Sequence, residues 1–332
     1  MFRLPDSWVW DFWLVDDGQK YHMFFLFASR ALKDPDARHD RASIGHAVSE
    51  DLRNWVRVED ALVRGDTPAF DDLATWTGSV VRHPDGRWVM FYTGATRAPA
   101  GSNIQTIGFA TSTDLIHWDK GPGPVLATDD RWYEKLAEGR WHDEAFRDPW
   151  VFPDPEGTGW HMLITARAVS GPLDNFDRGV IGHGWSADLT EWELRAPLTE
   201  PGQGFGHLEV LNLVDFDGAH FVTFSCLAQD AARWRRATGT TGGVWAARAE
   251  SPLGPYDIEG AQLLTTDELY VGRFIRDRTS GDMMFLAFIN RVDDVFIGAV
   301  TDPMKCVLKD GRIWFVDSSG AHHEKHPPPT GC

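Results

Sequence analysis

A twelve-residue motif that recurs along the chain is the feature that most restricts its fold. Residues 44–55 read IGHAVSEDLRNW, residues 107–118 read IGFATSTDLIHW and residues 181–192 read IGHGWSADLTEW. Weaker copies begin at Gly243 and Ile297. Each copy has the pattern of a β-strand, a Ser/Asp turn and an aromatic residue that opens the next strand. A motif repeated at a long, regular period is typical of repeat architectures.

A second element precedes each copy of the motif. It is an apolar, β-prone run, found at residues 21–28, 88–93, 160–166, 220–226 and 283–290. A turn sequence with Gly lies just before each run, as in Asp17-Gly18 and Asp85-Gly86. Such a turn requires a partner strand on its N-terminal side. Each unit therefore has four antiparallel strands joined by short hairpins.

Five such units, beginning near residues 8, 76, 146, 207 and 269, predict an all-β, five-bladed β-propeller with four antiparallel strands per blade. The alternative is a β-sandwich, which does not usually repeat one motif at a fixed long period. We expect one domain over residues 1–318 without a C-terminal β-sandwich, and a short helix near 132–138. Residues 319–332 contain three consecutive prolines and are expected to be disordered or extended.

The charge and cysteine content restrict the partners. The chain has 49 acidic and 32 basic residues, a formal net charge of −17, which disfavours nucleic acid and anionic membranes. Its three cysteines fit neither a metal motif nor a disulfide framework, and the N-terminus lacks the pattern of a signal peptide. We expect a cytoplasmic protein without metal or cofactor. Its sixteen tryptophans suit a stacked-sheet core and a site for a small-molecule carbohydrate.

The residues that open the five units can be compared, because the first strand of each blade lines the central channel. Asp11, Asp148 and Glu209 open units one, three and four, so we expect three carboxylates at equivalent places near the axis. Aspartate is disfavoured in strands, and this arrangement requires an explanation. One interpretation is that the three carboxylates hold one structural cation. We favour catalysis, since glycosidic cleavage needs one carboxylic acid and one carboxylate around the scissile bond.

Three motifs in order resemble known glycosidases. Residues 9–13 (VWDFW) resemble the Val-Trp-Asp-x-Trp segment of the levansucrase family, glycoside hydrolase family 68, and residues 76–79 (WTGS) resemble its Trp-Ser-Gly-Ser. Residues 146–149 (FRDP) are similar to the Arg-Asp-Pro motif that family 68 shares with the invertase family, family 32. The chain looks like a compact, divergent member of this clan.

The resemblance implies a retaining β-fructosidase. Asp11 corresponds to the nucleophile, Asp148 to the carboxylate that stabilises the transition state, and Glu209 to the general acid/base. The expected substrate-binding residues are Trp10, Trp76, Ser79, Arg147, His207 and Tyr270. For His207 a contact with the leaving group and a hydrogen bond to a strand edge are equally good interpretations.

Several functions are compatible with these residues. The first is hydrolysis of terminal β-fructofuranosyl units from sucrose or short fructans, with fructosyl transfer as a close variant. The second is an inverting arabinofuranosidase or xylosidase of the family 43 type. The third is a sugar-binding propeller without catalysis.

Overall fold

A computed structural model of the protein describes residues 1–99, 101–157 and 159–327. Five antiparallel sheets follow one another along the chain, which confirms the predicted five-bladed β-propeller. Blades 1 and 2 consist of β1 (Ser7–Asp16), β2 (Tyr21–Ser29), β3 (Ser43–Ser49), β4 (Val56–Arg57), β5 (Ala74–Arg82), β6 (Trp88–Arg97), β7 (Asn103–Ser112) and β8 (Asp119–Lys120). Blades 3 and 4 consist of β9 (Phe146–Pro153), β10 (Trp160–Arg167), β11 (Gly179–Ser186), β12 (Glu193–Arg195), β13 (Glu209–Phe216), β14 (Ala219–Leu227), β15 (Gly242–Ala249) and β16 (Gln262–Leu263).

Blade 5 departs from the four-strand plan. It contains β17 (Leu269–Arg276), β18 (Met283–Val292), β19 (Val295–Val300), β20 (Met304–Lys309), β21 (Arg312–Val316) and β22 (His322–His323). Two short strands take the place of a single third strand: β19 pairs with one end of β18, and β20 pairs with the other end. Pro303 lies between these two strands and has no N–H with which to continue the ladder.

Part of the predicted tail is ordered. His322 and His323 pair with β21, and the backbone N–H of the buried His326 donates to the carbonyl of Leu264 (2.7 Å). Residues 328–332 lie outside the described residues, and the domain boundary at residue 318 stays a prediction.

The helices of the described residues are all short. They are the 3₁₀ helices Arg30–Leu32, Asp36–Arg41, Leu136–Glu138, Asn175–Asp177 and Ala228–Asp230, and α1 (Arg233–Arg236). The helix expected near 132–138 is therefore limited to one 3₁₀ turn. None of these segments has the length and apolarity that crossing a bilayer would require.

The recurrent motif builds the turn after the third strand of blades 1 to 3. In blade 1, Ser49 and Asp51 accept hydrogen bonds from backbone N–H groups of the turn, and the indole of Trp55 donates to the carbonyl of Leu52 (3.0 Å). Leu52 has a positive φ of 62°, and the equivalent Leu115 and Leu189 have 66° and 67°. The sequence motif therefore recurs because the same strained turn is formed in each of these three blades.

A β-bulge interrupts every first strand at the same place, and it positions the channel mouth. In each blade, the residue just before the bulge still pairs with the second strand. We call these five residues the pre-bulge ring: Trp10, Trp76, Arg147, Glu209 and Tyr270. The next residues form the bulge ring, Asp11, Thr77, Asp148, Val210 and Val271. Bulges of this kind re-aim side chains near active sites. The sequence suggested that Glu209 is equivalent to Asp11 and Asp148. In the structure it lies one residue earlier than they do, in the pre-bulge ring.

Hydroxyl groups connect the bulges of successive blades. The N–H of Asp148 donates to Oγ1 of Thr93 (2.8 Å), and the N–H of Val271 donates to Oγ of Ser225 (2.9 Å). Each acceptor lies on the second strand of the preceding blade, opposite its pre-bulge residue. These bonds stabilise backbone with left-handed φ, 58° at Asp148 and 49° at Val271, which is unfavourable for a β-branched residue such as Val271.

The N-terminus closes the circle of blades. Phe2 forms an isolated antiparallel bridge with Val300 of β19, with hydrogen bonds of 2.9 Å in both directions. Phe2 is buried and packs its ring against Phe25 of blade 1, with 5.1 Å between centroids. Blades 1 and 5 are therefore joined by backbone hydrogen bonds as well as by apolar contact.

Candidate active site

Asp11 occupies the first position of the bulge ring. Its Oδ2 accepts a hydrogen bond from Oγ1 of Thr77, the bulge residue of blade 2 (2.9 Å). Burial raises the pKa of Asp11 from 3.8 to about 6, and the negative charge of Glu209 adds to the rise, against the Thr77 hydrogen bond and the positive charge of Arg38. A carboxyl with such a pKa titrates just below neutral pH.

Asp148 lies deeper, with only 4% of its surface exposed. Its Oδ2 accepts from Oγ1 of Thr165 (3.1 Å) and from the N–H of Val210 (3.2 Å), and it lies 3.6 Å from Nε of Arg147. Burial raises the pKa of Asp148 to about 7. Arg147 opposes this rise, and the charges of Glu209 and Asp11 reinforce it.

Glu209 is surrounded by hydrogen-bond donors. Arg147 donates through Nη2 to Oε1 (2.6 Å), the hydroxyl of Tyr270 donates to Oε2, and Nε2 of His207 lies 3.4 Å from Oε2. Burial alone would raise the pKa of Glu209. The charges of His207 and Arg147 and the hydrogen bonds from Tyr270 and Arg147 outweigh it and lower the pKa to about 2.

The three carboxyls therefore form one electrostatic cluster at the mouth of the channel. The charge of Glu209 raises the pKa of both Asp11 and Asp148, the charge of Asp11 raises that of Asp148, and Arg147 contacts both Asp148 and Glu209. Like charges confined in this way cannot all ionise easily, so their pKa values move apart. Such a set can supply both an ionised carboxylate and a proton donor.

The other predicted site residues fall into two groups. Trp10, Trp76, Arg147 and Tyr270 lie in the pre-bulge ring with Glu209, and His207 contacts Glu209 and Arg147. Ser79 lies apart from them: its buried Oγ accepts from the N–H of Val151 (3.0 Å), which ties blade 2 to blade 3. Among the described residues it has no hydrogen bond to the three carboxylates.

Two buried arginines near the cluster lie outside the sequence motifs and were not among the predicted site residues. Arg273 on β17 donates to the carbonyls of Phe12 (2.8 Å) and Leu211 (2.9 Å), so it joins blade 5 to blades 1 and 4. Burial lowers its pKa to about 10, against the charges of Asp148 and Asp11, and it stays a cation at neutral pH. Arg38 belongs to Asp36–Arg41, a charged segment whose sequence is typical of an exposed loop. Neither position has a signal in the sequence.

A structural cation at the channel mouth was the alternative that the sequence left open. Within 1–99, 101–157 and 159–327, no group of three or more His, Cys, Asp or Glu side chains is arranged to hold a metal ion.

Comparison with known proteins identifies the family. Residues 13–295 match the model for the N-terminal domain of glycosyl hydrolases family 32. Fructan 1-exohydrolase w2 of Triticum aestivum is 35% identical over 155 residues, which cover 45% of this chain and 22% of that protein. Sucrose-6-phosphate hydrolase of Bacillus subtilis (strain 168) is 32% identical over 189 residues, which cover 57% and 33%. The chain thus matches a third or less of the length of these two relatives.

A solved structure agrees with the fold. The inulosucrase from Halalkalicoccus jeotgali bound to kestose superimposes with a TM-score of 0.77 at 23% identity, covering 98% of this chain and 92% of that one. At this identity the likeness shows the five-bladed architecture alone. The family match, which spans most of the chain, confirms the resemblance inferred from the three motifs. Of the glycoside hydrolase families 68, 32 and 43 named above, the match identifies one: the chain belongs to glycosyl hydrolase family 32.

Proposed function

We propose that this protein hydrolyses terminal β-fructofuranosyl units of sucrose or short fructans by a retaining, double-displacement mechanism. The observation that carries the proposal is the electrostatically coupled cluster of Asp11, Asp148 and Glu209, of which Asp148 is buried, at the channel mouth of a family 32 domain. Activity on fructosides agrees with what the two sequence relatives are named for.

In the proposed first step the carboxylate of Asp11 attacks the anomeric carbon of the fructosyl unit. Glu209 gives its proton to the glycosidic oxygen, and the leaving sugar departs as an alcohol. In the second step Glu209, now ionised, takes a proton from water, and the resulting hydroxide displaces Asp11. Asp148 accepts hydrogen bonds from the fructosyl hydroxyls, which strengthen as positive charge develops on the ring.

The first step requires a proton on Glu209, but the site without substrate favours ionised Glu209. The low pKa of Glu209 keeps it ionised at neutral pH, which suits its role as a base but not as an acid. The pKa of Asp148, about 7, leaves a proton in the cluster. We propose that a bound sugar draws the guanidinium of Arg147 away from Glu209 toward its own hydroxyls. Glu209 then becomes the more basic carboxylate and receives the proton.

The remaining predicted residues surround this reaction. Trp10 and Trp76 would line the fructosyl pocket, and Tyr270 and His207 would orient Glu209 and meet the leaving group. The Ser79 hydroxyl already accepts a bond from the backbone of blade 3, so we assign it the weakest part in substrate binding.

The central test is Asp11→Asn with sucrose as substrate. Asparagine keeps an acceptor for Thr77 but is no nucleophile, so we expect turnover to fall by roughly a thousandfold or more with little change in stability. Asp16→Asn, at the exposed end of the same strand, is the control and should retain full activity. Activity of Asp11→Asn within tenfold of the wild type would refute the assignment of the nucleophile.

Two product measurements complete the test. Equal amounts of glucose and fructose from sucrose would exclude dominant fructosyl transfer, which shares the same intermediate. Nuclear magnetic resonance of the fructose first released would report its anomer, and inversion would contradict a double displacement.

We also propose a cytoplasmic location, as expected from the sequence. Cys226 and Cys306 are both buried free thiols, in agreement with a reducing compartment. Fractionation of the source cells with activity as the readout tests this, and activity confined to the medium would contradict it.

A further inference from the structure

The 3₁₀ helix Asp36–Arg41 covers one side of the channel mouth. The carbonyl of His39 accepts a hydrogen bond from Nε1 of Trp76 (2.8 Å). The His39 ring meets the rings of Trp10 and Trp76 edge to face, at 6.3 and 6.5 Å between centroids. This helix is therefore fixed against the two tryptophans of the pre-bulge ring.

Arg38 of this helix is held between two aromatic rings. Its guanidinium carbon lies 4.1 Å from the ring centroid of Phe296 in β19 and 5.5 Å from that of Trp10. Only 9% of the residue is exposed. A guanidinium stacked in this way has few rotamers available, so its direction is set before any ligand arrives.

The hydrogen-bonding capacity of Arg38 is incompletely used. Nη1 donates to the carbonyl of Pro35 (2.8 Å) and lies 3.5 Å from Oδ1 of Asp36. The Nε–H is buried, and among the described residues it has no acceptor. A buried donor without an acceptor is costly, and each such case in a folded protein asks for an explanation.

The charges around Arg38 point to the same place. Of the ionisable groups that act on it, Asp11 has the largest effect, followed by Asp36 and Arg291. Arg38 in turn is the cation that lowers the pKa of Asp11. The guanidinium lies over the ring of Trp10, the residue that precedes Asp11, and is within electrostatic range of the carboxylate proposed to attack the sugar.

We propose that Arg38 is a substrate-binding residue, whose clamped guanidinium donates a hydrogen bond to a hydroxyl of the fructosyl unit above Asp11. This inference rests on the proposed function and adds a contact outside the three recognised motifs. A neutral sugar hydroxyl suits the position because Asp11 already balances the positive charge.

The experiment compares Arg38→Ala with Arg41→Ala, an exposed arginine of the same helix. Removal of a charged hydrogen-bond donor to the substrate should raise KM for sucrose roughly 10- to 100-fold in Arg38→Ala and leave Arg41→Ala unchanged. Guanidinium ion at low millimolar concentration should enter the gap between Trp10 and Phe296 and restore activity several-fold. Urea, which has the same shape without charge, should restore none, and neither additive should affect Arg41→Ala.

Arg38→Met serves as a second variant, because its side chain fills the gap between the rings without a donor. If it folds and its KM equals that of the wild type, the inference is overturned. Equal rescue of Arg38→Ala by urea and guanidinium would also overturn it, since only packing would then matter.

A binding measurement separates this inference from the proposed function. Calorimetric titration of sucrose into Asp11→Asn and into Asp11→Asn/Arg38→Met should show at least tenfold weaker binding by the double variant. Wild-type turnover with equal binding by these two proteins would refute the role of Arg38 alone. Absence of both turnover and binding in the wild type would refute the two proposals together.

Discussion

Replacing the buried Asp148 with asparagine removes one ionisable group from the carboxyl cluster and keeps the shape of the side chain. In the folded protein the pKa of Asp148 is raised from 3.8 to about 7 by burial and by the neighbouring charges of Glu209 and Asp11. A folded-state pKa above the unfolded value means that the folded protein holds its proton more tightly. The ionised side chain therefore costs stability, and this cost appears as pH rises from the unfolded toward the folded pKa.

The size of the effect follows from the difference between the two pKa values. Each pH unit corresponds to 1.36 kcal/mol, so the full cost approaches about 4 kcal/mol above pH 7 and is about 1 kcal/mol near pH 4.5. The Val210 N–H and the Thr165 hydroxyl both donate to Oδ2, so the one carbonyl oxygen of asparagine can keep both hydrogen bonds. Burying the amide NH2 at the position of Oδ1 costs about 1 kcal/mol at every pH. Asparagine also tolerates the left-handed φ of 58° as well as aspartate does.

We therefore expect Asp148→Asn to be more stable than the wild type by about 2–3 kcal/mol near pH 8, and nearly equal to it near pH 4.5. Urea unfolding followed by tryptophan fluorescence at both pH values measures the difference. Activity should be lost at both, which separates the stability of the site from its function.

Asp310→Asn is the matched control for this comparison. Asp310 has nearly the same backbone angle, φ 53°, but it is exposed, so its substitution should change stability little. The raised pKa of Asp148 would be refuted if Asp148→Asn gained the same stability over the wild type at both pH values. It would also be refuted if the wild type were more stable than Asp148→Asn near pH 8. Either result would also refute the account of the site as a desolvated cluster.

Three further outcomes are expected. Glu209→Gln should slow sucrose far more than aryl fructosides with activated leaving groups, because only the poor leaving group needs a proton; comparison of kcat on both substrates measures this. In the wild type, kcat/KM for sucrose should fall as pH drops through about 6, because the raised pKa of Asp11 makes the nucleophile neutral below that value. Arg273→Met should lower the free energy of unfolding by about 3 kcal/mol, since two buried carbonyls lose their donor; urea unfolding measures it.

Each of these outcomes has a counterpart that would contradict it. An equal loss of Glu209→Gln on both substrate classes would count against acid catalysis. A kcat/KM that stays constant down to pH near 4 would contradict the raised pKa of Asp11. For Arg273 the control is Arg276→Met, on the same strand but exposed; if both variants unfold alike, the buried hydrogen bonds of Arg273 contribute nothing.

The blades were predictable because their signals are local. A Ser-x-Asp-Leu turn satisfies its own backbone N–H groups within a few residues, so Ser49 to Leu52 specify a strand end without help from the rest of the chain. The apolar runs behaved in the same way: the one predicted at 220–226 lies within β14. Acidic residues at the start of inner strands were recognisable because sheets disfavour them.

Features that depend on contacts between distant residues were not predictable. The bulge that moves Glu209 one residue ahead of the Asp148 position depends on pairing between neighbouring strands, and a shift of one residue leaves no mark in composition. Arg38 lies in a segment that reads as exposed, and its burial depends on Trp10 and Phe296, which are distant in the chain and pack against it. The divided strand of blade 5 likewise depends on which end of β18 each partner reaches.

The pre-bulge ring takes one side chain from each blade, so its members come from positions 10 to 270 of the chain. No shorter piece of the polypeptide contains a reduced version of the pocket, and a chain that lacks one blade lacks one wall. Catalysis should consequently appear all at once during refolding, at the moment when Phe2 reaches Val300 and the circle shuts. The rate at which turnover is regained then reports the rate of ring closure. Spectroscopic probes of β-structure would respond earlier, to the individual blades.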